Sequence, residues 1–182
     1  STVENMLNIV NKMLKSEEFE SDNFTLCPEI IDVKIIANNI IDYYKLKAKQ
    51  KNIKINFESD IGNITVFSDA VASKQIFDNL ISNAVKFAPI NSSVNITLSQ
   101  TNNSILFSVK DNGPGLTEKD KKSLFKRFSK LSAKPTGGEH STGLGLSIVK
   151  KLVEKLRGKV WCESEFGAGA EFIVELPRFS NE

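Results

Sequence analysis

Asn79 and Asn83 stand four residues apart in the stretch DNLISNAVKFA, residues 78–88. On a helix both amides leave the same face, and Lys86 follows within reach of it. Asparagine is a poor mid-helix residue because its amide competes for backbone bonds, so two on one stripe call for solvent or a ligand. An amide carbonyl is a hard, neutral oxygen of the kind magnesium accepts when phosphates supply most of the charge balance, and Lys86 can offset phosphate charge beside it. Asp111 opens DNGPG, residues 111–115, at the end of an apolar strand where the chain must turn sharply. Gly113 and Gly115 permit the backbone angles and close approach that a planar ligand needs. A carboxylate that only accepts hydrogen bonds suits the 6-amino group of adenine, whereas the 6-oxo group of guanine would meet it lone pair to lone pair. In TGLGLSIV, residues 142–149, Gly143 and Gly145 open a second helix whose first amides can hold phosphate. Leu144, Leu146 and Ile148 fit either core packing or the wall of a base pocket. No third glycine arrives at Ile148 and no strand precedes, so a dinucleotide-binding fingerprint fails its context. Taken singly, each feature has a plain structural reading: a solvated helix face, an Asp-Asn-Gly turn, an ordinary helix start. Their co-occurrence favours one site for a magnesium–nucleoside triphosphate.

Between the last two stretches lies LFKRFSKLS, residues 124–132, with the aromatics Phe125 and Phe128 and basic residues, then a loop rich in Pro, Gly, Ser and Thr. This order and spacing resemble the N box, first glycine box, F box and second glycine box of bacterial sensor histidine kinases, over roughly residues 1–177. The resemblance implies Asn83 as principal magnesium ligand with Asn79 beside it, and Asp111 as the reader of adenine. It extends the nucleotide contacts to Lys86, Phe87, Gly113, Gly115, Leu116, Lys130, Thr142, Gly143, Leu144, Gly145 and Leu146, and makes ATP and Mg2+ the cofactors. Arg127 and Lys130 become the catalytic cations. Lys130 matches a basic residue that reaches the γ-phosphate and is arginine in many relatives, so bidentate contact is lost here. Residues 131–142 resemble a mobile lid. Apart from Leu131 they have almost no large apolar side chain to offset an ordering entropy of about 1–2 kcal/mol per residue, so phosphate contacts are expected to order them.

The implied activity is γ-phosphoryl transfer to a histidine on an upstream helix outside this chain, then to an aspartate of a response-regulator receiver domain. With a loose transition state the domain's task is positioning and charge neutralisation. The implied partners are that dimerisation and phosphotransfer domain, a homodimer in the full-length protein, and the receiver domain; the fragment itself is expected to be monomeric. His140 is the sole histidine, but the family's acceptor lies upstream in a His-Glu or His-Asp, then Pro pattern, and His140 reads as an exposed loop residue. Two rivals use the same residues. A gyrase-type ATPase clamp has a glutamate four residues before the magnesium asparagine to deprotonate water; here that position is Asn79, which cannot act as a base, and Asp78 points elsewhere. A non-catalytic nucleotide-sensing or docking module is the second, favoured only by Lys130.

The 182 residues suit one compact domain with a modest extension. A net charge of +2 is too small to suggest nucleic acid or a membrane surface. Cys27 and Cys162 are isolated, which indicates neither a disulfide framework nor zinc and favours a reducing, cytoplasmic setting. No apolar run approaches membrane-span length and no signal order opens the chain. Ser1 falls inside the first periodic stretch, so the chain reads as a piece of a longer protein, whose membrane attachment is left open.

The elements that must position the site follow from periodicity. Val3, Met6, Val10 and Met13 predict a helix over 3–14, followed by a polar linker to Asn23. Phe24–Leu26 suggests a short strand, and Pro28 the first turn of a helix to Lys49 with Ile31, Ile35, Ile36, Ile40, Tyr43 and Tyr44 buried. Alternation predicts strands at Ile53–Phe57 and Thr65–Phe67, then a hairpin of Val94–Leu98 and Ile105–Val109. Helices are expected over Ala70–Phe87, from an N-cap at Thr117 to Lys126, and over Gly145–Leu156, before closing strands at Lys159–Glu163 and Ala170–Leu176. The fold class is α+β, with helices on one face of a mixed, mainly antiparallel sheet. The resemblance implies the two-layer Bergerat sandwich, divided into residues 1–21, the end of the dimerisation and phosphotransfer helix with its linker, and 22–180, the catalytic domain.

Overall fold

A computed structural model describes residues 24–60, 62, 65–129, 131–139 and 141–178, with Val10, Leu14 and Phe19 besides. The elements run β1 (Glu29–Asp32), α1 (Val33–Lys49), β2 (Lys54–Ser59), β3 (Thr65–Ser68), α2 (Ala70–Phe87), β4 (Ser93–Gln100), β5 (Ser104–Asp111), α3 (Glu118–Ser123), α4 (Gly145–Lys155), β6 (Lys159–Ser164) and β7 (Ala170–Pro177). Five strands form one sheet in the order β2-β4-β5-β7-β6, and β1 and β3 pair as a separate ribbon. Only the β2–β4 pair of the large sheet is parallel. The α+β sandwich is as expected.

Strand alternation sorts the sheet into two faces. Ile96 and Leu98 of β4 and Ile105, Phe107 and Val109 of β5 are buried beneath the helices. The opposite face is largely polar, with Leu106, Trp161 and Ile173 among its apolar members: Ser108 Oγ donates to Glu171 Oε1 at 3.0 Å and Asn56 Nδ2 to Asn95 Oδ1 at 2.7 Å. The central helix α2 lies over β5, with Phe77 stacked on Phe107 at a centroid distance of 3.9 Å and an interplanar angle of 20°. Asp69 caps its start, accepting from Ala72 N at 2.7 Å. The other Asp69 oxygen accepts from Cys27 N, also at 2.7 Å, which ties the entry segment to the same helix end.

Three expected boundaries move. Residues 24–28 form no regular element; the strand lies later, at Glu29–Asp32, where it pairs with β3. The helix then starts at Val33 because the Asp32 carboxylate takes the first-turn amides of Lys34 and Ile35 at 2.9 and 3.2 Å. Its buried stripe is Val33, Ala37, Ile40, Ile41, Tyr44 and Ala48, which leaves Ile35 at 57% exposure and Tyr43 on the outer face. Of the expected set, Ile31, Ile40 and Tyr44 are buried and Ile36 is packed against the core, so only Ile35 and Tyr43, the apolar residues that flank the stripe, fall outside it. The helix from Thr117 has the expected cap, a reciprocal capping box with Asp120, but ends at Ser123.

The expected helix over 3–14 lies almost wholly outside the described residues; Val10 and Leu14 are helical and exposed. Phe19, within the stretch read as a linker, is helical and buried, its ring edge-on to Phe24 at 5.0 Å. No helix among the described residues is long and apolar enough to cross a membrane.

The phase of α1 is directly testable. Ile41 is 1% exposed, so Ile41→Ala should cost about 2–5 kcal/mol in urea denaturation, whereas Ile35→Ala should stay within about 0.5 kcal/mol. Equal losses would restore the burial of Ile35 read from the sequence.

Candidate functional site

Asp111 is the inward-facing residue that follows Ile105, Phe107 and Val109 at the end of β5, so alternation alone aims a carboxylate into the core. It is 5% exposed. Gly113 N donates to its Oδ1 at 2.7 Å, and the backbone of Ala170, its cross-strand partner on β7, supplies a further bond. Burial still dominates these bonds and pushes the carboxyl up to about 6. Beside it, burial and then the Asp111 charge push the Cys162 thiol up to about 12.

The turn after Asp111 needs its glycines. Gly115 has φ +67°, and a Cβ there would collide with the Glu165 carbonyl. The turn is sewn to the β6–β7 connection: Leu116 N donates to Ser164 Oγ at 2.9 Å, Ser164 Oγ to Gly169 O at 2.6 Å, and Gly167 N to Pro114 O at 2.8 Å.

Asn79, Asn83, Lys86 and Phe87 lie on the face of α2 turned from its buried stripe. Asn83 and Phe87 wall one apolar cavity of about 40 Å³ together with Asp111, Gly115, Leu116 and Leu146. Three segments distant in sequence thus meet at one point. Pro114, Ala170 and Phe172 complete the wall, with Leu131 and Ala133 reaching in from the loop after the aromatic run. None of these five was among the expected nucleotide contacts. The register of β5 against β7 could have found Ala170, but that register is not written in either strand alone. A wider cleft, lined in part by Gly113, Lys134 and Thr136, adjoins through Pro114 and Ala133.

The start of α4 meets α2. A Cβ on Gly145 would stand 3.1 Å from Asn79 Oδ1, so glycine here lets the two helices touch. The Asn79 amide nitrogen is buried with no hydrogen-bond partner among the described residues, a donor lacking an acceptor. Leu144, at the N-cap of α4, offers no side-chain cap to the first amides and is buried at 2% exposure, so Leu146 is the one that faces the cavity. Gly143, with φ +70°, backs onto Phe128 and Ser129, and Thr142 precedes it. Arg127 is exposed, its guanidinium 5.3 Å from the Phe128 ring, and does not line the cavity. Lys130 and His140 lie outside the described residues. Asp78 points away: Tyr44 OH of α1 donates to its Oδ1 at 3.1 Å.

A protein-family model described as histidine kinase-, DNA gyrase B- and HSP90-like ATPase matches residues 68–180. Among curated proteins, sensor protein kinase WalK of Staphylococcus aureus is 32% identical over 178 residues, covering 96% of this chain and 42% of that protein. The chain therefore spans less than half the length of the curated relatives it matches. Among solved structures, full-length ShkA in complex with AMPPNP aligns with a TM-score of 0.82 at 28% identity, covering 97% of this chain and 37% of that one. ThkA in complex with the response regulator protein TrrA aligns with a TM-score of 0.80 at 26% identity, covering 98% and 50%.

A carboxyl raised to about 6 binds its proton more tightly in the folded chain than in the unfolded one, where aspartate titrates near ~3.9. Its ionised form therefore penalises the fold above pH 6; the penalty eases as pH falls through 6 and is gone below about 4. Relative to Asp111→Asn, the native chain should gain up to roughly 3 kcal/mol of unfolding free energy between pH 7 and 4. Parallel urea-denaturation profiles of the two across that window would refute the burial argument.

Proposed function

The chain belongs to the histidine kinase-, DNA gyrase B- and HSP90-like ATPase family, and from that premise we propose that it is the ATP-binding catalytic domain of a two-component sensor histidine kinase. The observation that supports this best is the convergence of Asn83, Asp111, Gly115 and Leu146 on one apolar cavity. Such a pocket takes a flat, mostly apolar base and reads it with one polar group. The Asp111 carboxylate, ionised above pH 6, accepts from the adenine amino group and disfavours guanine.

The residues fit a triphosphate and its metal. The first amides of α4 have no side-chain cap, and Asn79, beside Gly145, has an unpartnered amide nitrogen, so a phosphate held at this junction would satisfy donors from both helices. Among the described residues no group of three or more His, Cys, Asp and Glu side chains could hold a metal. Magnesium here would be carried in on phosphate oxygens and completed by the Asn83 amide oxygen, with Asn79 beside it. Bound Mg·ATP supplies the phosphoryl group and the metal charge; the chain supplies orientation, through the base pocket and α2, and exclusion of water, through Leu131 and Ala133. Lys86, and Arg127 and Lys130 of the aromatic run, are the cations assigned to the phosphates.

The acceptor would be a histidine of the dimerisation and phosphotransfer domain, to which residues 1–21 would belong, with residues 22–180 as the catalytic domain. A response-regulator receiver would be the second partner, as TrrA is for ThkA in their complex. A hydrolytic ATPase clamp is disfavoured because Asn79 cannot take a proton from water and Asp78 is engaged by Tyr44.

Two measurements check this reading. Asn83→Ala should abolish the magnesium-dependent part of the melting shift produced by ADP while leaving the unliganded melt near native; a full native shift would remove Asn83 from the metal. Incubated with γ-labelled ATP, the chain should stay unlabelled until a domain bearing the acceptor histidine is added. Acid-labile label on His140 of the chain alone would overturn the assignment.

A further inference from the structure

The far end of α2 is closed by residues to which the nucleotide reading gives no task. The last carbonyls of a helix lack intrahelical donors and lie at the negative end of its dipole. In α2 they meet Lys51, from the connection between α1 and β2, which is only 9% exposed. Its Nζ donates to Val85 O at 2.7 Å and to Lys86 O at 3.0 Å, and it meets Glu139 Oε1 at 3.3 Å. An ammonium has three donors, and these acceptors use them all.

Glu139 is 88 residues from Lys51 in sequence and belongs to the loop that walls the cavity. Its other oxygen accepts from Gly137 N at 2.9 Å. Burial works to raise its carboxyl, but the N–H bonds of Glu139 itself and Gly137, with the Lys51 charge, hold it below the ordinary glutamate range. Next to it Thr136 N donates to Lys86 O at 3.0 Å, and Thr136 Oγ1 lies 2.7 Å from Ala88 O. The near end of the loop is held separately, Ser132 N and Oγ donating to Asp120 at 2.9 and 2.5 Å. Leu131 and Ala133 of the same loop wall the base cavity of about 40 Å³, and Ser132, Ala133, Lys134 and Thr136 line the wider cleft beside it. These anchors are all made by groups of the chain itself.

We propose that Lys51 is a positioning residue: by joining Glu139 to the C-terminal carbonyls of α2 it clasps the loop of residues 131–139 against the helix that holds Asn83, and nucleotide enters and leaves as the clasp opens. The gating half rests on the nucleotide reading; the clasp itself does not. Amide exchange at Thr136, followed by NMR on the full chain without nucleotide, tests the clasp. Glu139→Gln keeps the length and the helix cap but removes the charge, and should speed exchange about three- to fivefold. Lys51→Met should do at least as much, and the double variant no more than Lys51→Met alone. Lys51→Met also strips two carbonyls of a donor, so Glu139→Gln decides the matter where it fails to fold. Unchanged Thr136 exchange in Glu139→Gln overturns the clasp. Stopped-flow with a fluorescent Mg·ADP analogue tests the gate: association and dissociation should rise together by a similar factor in Glu139→Gln, and unchanged rates with faster exchange overturn the gating. Failure of the native chain to bind the analogue would refute the nucleotide reading instead, with the exchange arm still deciding the clasp.

Discussion

The stack of Phe77 on Phe107 determines where α2 lies across the sheet, and the site inherits its geometry from that contact. Both rings are fully buried. Along β5 the two-residue period then brings Asp111 out on the same face as Phe107. Around α2 the 3.6-residue period turns Asn79, Asn83 and Lys86 to roughly the opposite side from Phe77, so burying one stripe necessarily presents the other. A polar stripe and an inward carboxylate, on elements with no sequence proximity, are thereby set at a fixed separation by hydrophobic packing. Interiors packed as densely as organic crystals deform little, so this separation is held firmly.

What is held firmly and what is free to move are divided along the same lines. The base wall is backbone-rigid: the turn of residues 113–116 is bonded to the β6–β7 connection through Ser164 and Gly167. The opposing wall, Leu131 and Ala133, is held by polar anchors at Ser132 and Thr136 and by the partly buried packing of Leu131 on the core. Such hydrogen bonds contribute about 1 kcal/mol each, against several for a buried aromatic.

The sequence made the site more legible than the frame around it. Asn83, Asp111, Gly115 and Leu146 could be chosen because each motif states its chemistry within a few residues. The hairpin of β4 and β5 was readable because alternation is local. The buried edge of α1 was readable only in part, since Ile35 and Ile36, and Tyr43 and Tyr44, are adjacent apolar pairs of which only one member each turns inward. Asp32 as the cap of α1 was obscured by Pro28, a good helix-start signal placed in irregular chain. Lys51 and Thr136 were invisible for another reason: their partners lie 34 to 88 residues away, and nothing local in a lysine or a threonine announces a distant carbonyl. The roles read for Lys130 and for the helix over residues 3–14 rest on the sequence, because those residues lie almost entirely outside the described ones.

The strand order has a consequence for how the molecule comes together in time. β7 sits between β5 and β6, and its register joins Ser104 to Pro177 and Asp111 to Ala170. During synthesis the chain emerges from its N-terminal side, so α1, α2 and the β4–β5 hairpin are all available before the strand that must lie beside β5 has been made. Until then one edge of β5 is unpaired and apolar, the kind of edge that invites pairing with another chain. Ala170 and Phe172, which wall the cavity, are also missing at that stage. The binding site is therefore among the last parts of the domain to exist, and an incomplete chain has the asparagine helix without a pocket for it to serve.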